Sequence, residues 1–344
     1  MNMGNCKVSK RYEMKQYNHS LGWRGCVLAI GVGVAAWMPA AQAQQDWPTK
    51  PVRLVVGGPA GGTADALARL LAEGLHKAWG KPVIVENKAG AAGALAISDL
   101  QSTGKDGHTL LVIQGGVVSE APLANKVHYK PFSDLKPLAQ VSRTGLVLVA
   151  NKDVPFADLR QLVAYGKSQK DGLVFASYAP GLKGHTSGML FGQLAHVPMR
   201  HVGYKGSPPA LNDLMGGHVP LMFDGVTTSL PLIRAGKIKA IAVAYPSRIS
   251  GLEAVPTFKE LGYPQLSQAG WFAVWSRPDV AAGIQQKVRD ATLAYFRQPA
   301  VQKRIKEMGM EQGDAATSEA MMADLRQAYQ QQAALLQSIN YQPE

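Results

Sequence analysis

The sequence predicts an α/β fold in two lobes, each a mostly parallel sheet flanked by helices and joined by two crossing hinge strands. Apolar β-rich runs take turns with amphipathic helical patterns along the chain, which is the signature of strand and helix layers. Without its leader the chain still exceeds the roughly 250–300 residues at which a single core stops growing. Two apolar runs, residues 146–150 and 271–275, each end in a polar or proline-rich break and are the candidate crossings. They divide the chain into a first lobe of residues 44–147 and 272–344 and a second of 148–271.

Residues 1–43 read as a signal peptide. Lys7, Lys10, Arg11, Lys15 and Arg24 form a basic start, residues 26–38 are apolar, and Ala41-Gln42-Ala43 is a small-residue cleavage site. The apolar run falls well short of the roughly 20 residues of a membrane helix, so export and cleavage near Ala43 are expected. Met14 is an alternative initiator within that leader. Cys26 opens the apolar run instead of following it, which argues against a lipid anchor. Cys6 and Cys26 both lie in the leader, so the mature chain has no disulfide, thiolate metal site or cysteine nucleophile. Cleavage also removes Glu13 and lowers the formal charge from +12 to +8. A surplus of that size serves solubility or steers anions into a cleft. Aromatic residues are only 7% of the chain, and the one basic run, at residues 303–306, has the pattern of a solvated helix face. Nucleic acid is therefore not an expected partner, and a soluble monomer is expected.

The elements follow in order. Residues 52–56 form a short buried strand, residues 57–63 a glycine-rich turn, and a helix runs to about Trp79 with Leu67, Leu70, Leu71, Leu75 and Ala78 on one face. Asp65 stands four residues before Arg69, a supporting ion-pair spacing. Strands are expected at residues 110–114, 145–150, 173–177, 219–223 and 238–244. Helices are expected at residues 156–168, 185–194, 208–215, 229–235, 279–298 and 317–338, with a shorter one at 301–308 set off by Pro299, Gly309 and Gly313.

The turn at residues 57–63 has the makings of an anion cradle. A helix start leaves about four N–H groups unpaired and carries roughly half a positive charge, and glycines let a ligand approach. The turn lacks G-x-G-x-x-G spacing and is not followed by Lys-Ser/Thr, so neither a dinucleotide nor a nucleoside triphosphate is the expected anion, although Glu86 stands where a ribose-binding acid would. No G-x-S-x-G elbow and no H-E-x-x-H spacing occurs. The pattern contains no catalytic residue, cofactor or metal site.

Ordered motifs then carry a resemblance. They are Pro48-x-Lys50-Pro51-Val52-Arg53-Leu54-Val55-Val56, Pro59-x-Gly61-Gly62-x-x-Asp65, Val85-Glu86-Asn87-Lys88-x-Gly90-Ala91-x-Gly93, Gly107-x-Thr109-Leu110-Leu111, His201-x-x-Tyr204-Lys205-Gly206-Ser207, Pro209-Ala210-Leu211-x-Asp213-Leu214 and Val255-Pro256-Thr257. The chain resembles the periplasmic solute-binding receptors of tripartite tricarboxylate transporters, of TctC or Bug type, over nearly all of residues 46–344. The resemblance implies a type II-like, two-lobed periplasmic binding protein fold that closes on a small organic carboxylate and passes it to integral membrane transporter subunits. A carboxylate-sensing co-receptor of a membrane kinase is the alternative on the same fold, and a secreted α/β enzyme a remoter one.

By that resemblance the first-lobe contacts are Gly58, Pro59, Ala60, Gly61 and Gly62, although these residues would also serve simply to make the turn. Asp65 is expected to support the helix start and pair with Arg69. Residues 177–186 follow a strand and precede a helix, which makes them the second lobe's matching anion site, with Ser177, Gly181, Gly184 and His185 as candidates. Here the family pattern has a second glycine at Ala179 and a small hydroxyl residue at Leu182, while Lys183 adds a mobile positive charge. These departures point to a ligand unlike simple dicarboxylates. The family also carries an aromatic near Gly58, and its loss widens the rim for a bulkier acid. Asp224 ends a strand at the carboxyl edge and either accepts hydrogen bonds from ligand or water or shapes the turn before Gly225. Tyr204 opens a loop toward the cleft, and Lys205 beside it is either a contact or a surface charge. Gly116 is a first-lobe candidate in the turn after Gln114. The family's Asn-Pro is Ala121-Pro122 here, and Glu120 is either an exposed loop acid or a selector for a ligand with a hydrogen-bond donor.

Overall fold

Strand β1 (Val52–Val56) is buried on both faces, and the chain turns from it into helix α1 (Thr63–Trp79). Leu67, Leu70, Leu71 and Leu75 of that helix are buried against Val52, Leu54 and Val56 of β1, while Val55 faces a separate core cluster on the opposite side of the sheet. Truncating a fully buried leucine such as Leu71 costs about 2–5 kcal/mol, so this one face does much to hold the layer in place. Gly80, in the left-handed region, ends the helix by donating to the His76 carbonyl. The computed structural model describes residues 47–314, 316–339 and 341; the expected signal peptide and its cleavage site lie outside the described residues.

The first lobe continues with β2 (Val83–Asn87), α2 (Ala94–Thr103), β3 (Thr109–Gln114), two single-turn helices α3 (Gly116–Ser119) and α4 (Ala121–Ala124), and β4 (Lys136–Thr144). The chain then builds β5 (Leu146–Asn151), α5 (Leu159–Ser168), β6 (Leu173–Ser177), α6 (Lys183–Ala195), β7 (Met199–Gly203), α7 (Ser207–Met215), β8 (Leu221–Gly225), α8 (Val226–Arg234) and β9 (Ile238–Ala244). It returns through β10 (Gly270–Ser276), α9 (Ala282–Phe296), α10 (Pro299–Glu307), β11 (Glu311–Gln312) and α11 (Ser318–Ser338).

Two sheets result, in the orders β11-β4-β10-β3-β1-β2 and β7-β6-β8-β5-β9. Both are mixed. β1 pairs in parallel with β2 and β3, and β6 in parallel with β7 and β8, whereas β10 runs antiparallel to β3 and β4, and β5 antiparallel to β8 and β9. The antiparallel members are the strands next to the crossings, whose direction is set by the passage between sheets. Gly145 separates β4 of the first sheet from β5 of the second, so residues 146–151 all lie in the second sheet and residues 270–276 all in the first. A Cβ at Gly145 would stand 2.7 Å from Tyr245 Cβ, so the residue after β9 packs directly on the outgoing crossing. Each sheet has a core cluster on both faces, which explains why its strands read as nearly continuous apolar runs.

Candidate functional site

The carboxyl ends of the parallel strands point into a cleft of about 370 Å³ between the two sheets. This is where open α/β sheets place ligands. The first lobe lines it with Gly57, Gly58, Pro59, Gly62, Thr63 and Ala64, with residues 90–93, and with Ile113, Gln114, Val117 and Asn125. The second lobe supplies Tyr178, Ala179, Pro180, Leu182, residues 203–207 and Gly225, and Thr144, Leu146 and Phe272 come from the crossing region.

Two helix starts open onto this space without a side chain capping them. Gly62 is the N-cap of α1 and Gly225 the N-cap of α8, and neither has an oxygen to offer the first-turn N–H groups. At α1 those groups and the helix's positive end are therefore available to an anion, whereas the α8 start already carries the buried Asp224 carboxylate, which accepts from Thr228 and Ser229. The α7 start contributes less, because Pro208 and Pro209 withhold two of its N–H groups and leave Ser207 as the donor at the cleft. Asn87 steadies the first loop by donating from Nδ2 to the Gly58 carbonyl at 3.0 Å. A Cβ at Gly58 would meet nothing within 4 Å, so the rim there has open room.

Of the expected site residues, Gly58, Pro59, Gly62 and Tyr204 line the cleft, while Ala60, Gly61, Gly116, Ser177, Gly181, Gly184, His185 and Asp224 are not among its lining residues. Ala60 is exposed, and the Gly61 N–H is taken by Asp65 Oδ2 at 3.0 Å. Asp65 also pairs with Arg69 at 3.0 Å; burial opposes its charge, but the Arg69 and Gly61 bonds outweigh burial and lower its pKa. Tyr204 presents its ring, because its hydroxyl donates to Asp213 Oδ2 at 2.7 Å. Gly116 gives room to a neighbour, since a Cβ there would stand 2.7 Å from Glu120 Oε2. Gly184 permits close packing of α6, with a would-be Cβ 2.9 Å from the Phe223 carbonyl oxygen.

The start of α6 differs most from expectation. The Lys183 N–H donates to Glu120 Oε2 of the first lobe at 3.0 Å, so a carboxylate of the chain already occupies the second lobe's expected anion site. Lys183 Nζ is not a mobile charge, because it donates to the Ala269 carbonyl at 2.7 Å and lies 3.7 Å from Glu120 Oε1. Glu120 is therefore neither an exposed loop acid nor free to meet a ligand: it is 4% exposed, and burial raises its pKa against the opposing pull of Lys183. Gly181 has φ +75, and a Cβ there would overlap Ala124 of the first lobe. Its carbonyl accepts from Gln332 Nε2 at 3.1 Å, and Asn125 Nδ2 donates to the neighbouring Pro180 carbonyl at 3.3 Å. This loop is thus clamped between the lobes.

Behind it lies a pair of imidazoles. His185 and His201 stack at 3.7 Å with an interplanar angle of 11°; His185 Nδ1 accepts the Gly181 N–H at 3.1 Å, and His201 Nε2 is 2.7 Å from Ser177 Oγ. Burial pushes His185 down to about 4, and burial together with the neighbouring His185 pushes His201 down to about 3. Both rings are neutral at pH 7, and they support the loop from behind.

Asp224 is fully buried and accepts from Ser207 Oγ at 2.5 Å, Thr228 Oγ1 at 2.6 Å and Ser229 Oγ at 2.7 Å. Burial raises its pKa, and the three hydroxyls oppose the rise. Its oxygens are spent on α7 and α8, so its part is to hold Ser207 at the cleft. Lys205 is exposed on the rim and is the one residue with a formal charge among those lining the cleft. Sequence reasoning overlooked Ser207 and residues 90–93 as lining positions; Thr63 and Tyr178 fall within the two loops it marked, residues 57–63 and 177–186, without being singled out. Ser207 and Gly90, Ala91 and Gly93 sit in the quoted motifs, and Tyr178 directly follows the strand end at Ser177, so the signal was present. Among the described residues no group of three or more metal-ligating side chains occurs.

Comparison with known proteins places these features in context. The sequence model described as the tripartite tricarboxylate transporter family receptor matches residues 67–341. The chain is 36% identical to the protein BugT of Bordetella pertussis over 252 residues, covering 71% of this chain and 76% of that one. It is 32% identical to an Agrobacterium vitis protein encoded in the TAR-I ttuE-ttuC' intergenic region, over 78% of each chain. Among solved structures, an R. palustris protein with adipate is 29% identical with a TM-score of 0.83, covering 87% of this chain and all of that one. The periplasmic binding protein BugD is 30% identical with a TM-score of 0.81, over 87% of this chain and 100% of its own. MatC from Rhodopseudomonas palustris with bound malate is 28% identical with a TM-score of 0.79, over 84% of this chain and 100% of its own.

Proposed function

The chain belongs to the tripartite tricarboxylate transporter receptor family, a family of solute-binding proteins and not of enzymes, and from that premise we propose that it captures a small organic carboxylate outside the cytoplasm and delivers it to integral membrane transporter subunits. One observation carries the reading. The cleft sets the uncapped start of α1 beside a space whose one formally charged lining residue, Lys205, is positive. Such a site favours an anion, and its volume falls in the range of roughly 300–1,000 Å³ typical of small-molecule pockets. Relatives of similar fold solved with adipate and with malate support a carboxylate as that anion. The leader at residues 1–43 supports export to the periplasm.

A thermal-shift screen on ligand-stripped protein tests the reading. An acid present at 100 times its dissociation constant adds about 2.7 kcal/mol to stability. Silence across mono-, di- and tricarboxylates, aromatic acids and amino acids would sink it.

A further inference from the structure

We propose that the cleft selects acids with a single carboxylate and an uncharged, apolar body, an aromatic ring or a short hydrocarbon chain, and discriminates against acids bearing a second carboxylate at the far end. The inference rests on the carboxylate reading of the same site and narrows its ligand class.

The start of α6 decides the matter. Its N-cap is Leu182, which supplies no capping bond. Serine, threonine, aspartate and asparagine are strongly preferred at such a position and leucine is among the poorest choices, so local helix energetics do not explain this residue. Tertiary structure does. Leu182 is 2% exposed and forms a buried apolar cluster with Ala121 and Ala179, against which Ala92 and Tyr178 pack. Leu182, Ala179, Ala92 and Tyr178 all line the cleft, so this cluster is its apolar wall. A hydroxyl at position 182 would have offered a donor to a polar ligand; the leucine offers alkyl surface.

The same end is also closed to a second anion. The α6 start is a 13-residue helix's positive end, but Glu120 of the opposite lobe fills it through the Lys183 N–H at 3.0 Å. A distal carboxylate on the ligand would have to shed its water against hydrocarbon, with a buried carboxylate of the protein close behind. Ionised groups that lose water without gaining a partner are strongly penalised. Lys183 cannot relieve the penalty, since its ammonium is held by the Ala269 carbonyl and by Glu120. The cleft's remaining formal charge, Lys205, stands exposed on the rim and can balance one carboxylate. One anionic end and one apolar end is therefore the ligand shape that leaves no group unmatched.

Matched ligand pairs isolate this feature. Calorimetric titration of ligand-stripped protein compares hexanoate with adipate and benzoate with terephthalate, each pair differing by one distal carboxylate, and adds hexanamide and benzamide as uncharged isosteres. We expect the better monocarboxylate to bind at least tenfold more tightly than its dicarboxylate partner, and neither amide to bind. Equal or tighter binding of the dicarboxylates overturns the selectivity while leaving the carboxylate reading intact. Amides binding as well as acids overturn the carboxylate reading itself, and silence from all six compounds overturns both. The double variant Leu182→Thr, Glu120→Gln gives α6 a hydroxyl cap and removes the formal charge at its start, the glutamine amide oxygen still accepting the Lys183 N–H, and it should narrow the preference at least tenfold toward the dicarboxylates. An unchanged preference in folded double variant assigns the selectivity elsewhere and defeats the role given to Leu182 and Glu120.

Discussion

Replacing His201 with glutamine should flatten the response of this protein to acid. In the folded chain His185 is pushed down to about 4 and His201 to about 3, chiefly by burial, against an unfolded value near 6.5. Depressed folded values mean that the stability they confer is present above pH ~6.5 and is lost as pH falls toward the folded values. Around pH 5 the unfolded chain binds close to two more protons than the folded one at these two rings. Stability then falls by about 2.7 kcal/mol per pH unit from the pair, and by about half that from one ring alone. Between pH 6 and 4.5 the pair removes about 4 kcal/mol, a large share of the roughly 5–15 kcal/mol that holds a typical domain folded. Glutamine at position 201 preserves a hydrogen-bonding group for Ser177 Oγ and removes one titration. Glu120 and Asp224 oppose the trend, because their folded values are raised and their contribution is lost as pH rises; they are the same in both proteins and drop out of the difference. Urea unfolding at pH 6.0, 5.5, 5.0 and 4.5 measures it. The wild-type slope should exceed the variant's by about 1.4 kcal/mol per pH unit, and identical slopes would refute the assignment of two buried neutral imidazoles. Protonation at Nδ1 of His185 also removes the acceptor for the Gly181 N–H, so in the folded protein the clamped loop should loosen as pH falls through about 4, below that interval.

Gly62→Asp separates stability from binding. An aspartate N-cap on α1 should leave stability unchanged or raise it by a few tenths of a kcal/mol, while its charge at the cleft abolishes carboxylate binding; retained affinity would remove the first loop from the site. Glu120→Ala takes away the first-lobe carboxylate that accepts from Lys183 N–H across the cleft. The closed arrangement should lose about 1.5–3 kcal/mol relative to an open one, seen as a larger radius of gyration in solution scattering and a 10- to 100-fold weaker ligand; no change in either would show that the contact does not hold the lobes. Asp224→Ala strands the hydroxyls of Ser207 and Ser229 and leaves Thr228 only the Gly225 carbonyl, so stability should drop by about 3 kcal/mol in denaturant titration, and a loss below ~1 kcal/mol would mean that water replaces the carboxylate without penalty.

Much of the architecture is legible from spacing because it depends on neighbours in the chain. The buried face of α1 through Leu67, Leu70, Leu71 and Leu75, the turn after β1, and the apolar strands β3, β5, β6 and β9 follow from local periodicity and glycine placement. Helix α2 escaped although it buries Ala96, Ile97 and Leu100, and the strands that escaped are those whose burial is not announced by apolar side chains. β4 carries buried Gln140 and Ser142, and Gln140 is satisfied by the Asp314 N–H from 174 residues away. β2 and β7 lie at the outer edges of their sheets and are only partly buried, so neither shows a clean alternation.

The candidate site divides along the same line. Sequence by itself determined that both cysteines lie within residues 1–43, and it marked the glycine-rich helix start at Gly62 and the departures at Ala179 and Leu182. Tertiary structure alone decided which anion each helix start receives. The starts of α1 and α6 look alike in sequence, a strand followed by a glycine-bearing loop, yet the first faces open cleft and the second holds Glu120 from 63 residues earlier. A helix start specifies only that some anion is welcome; whether the chain itself supplies one depends on contacts between lobes, and those follow from closure of the whole fold, not from any local run of residues.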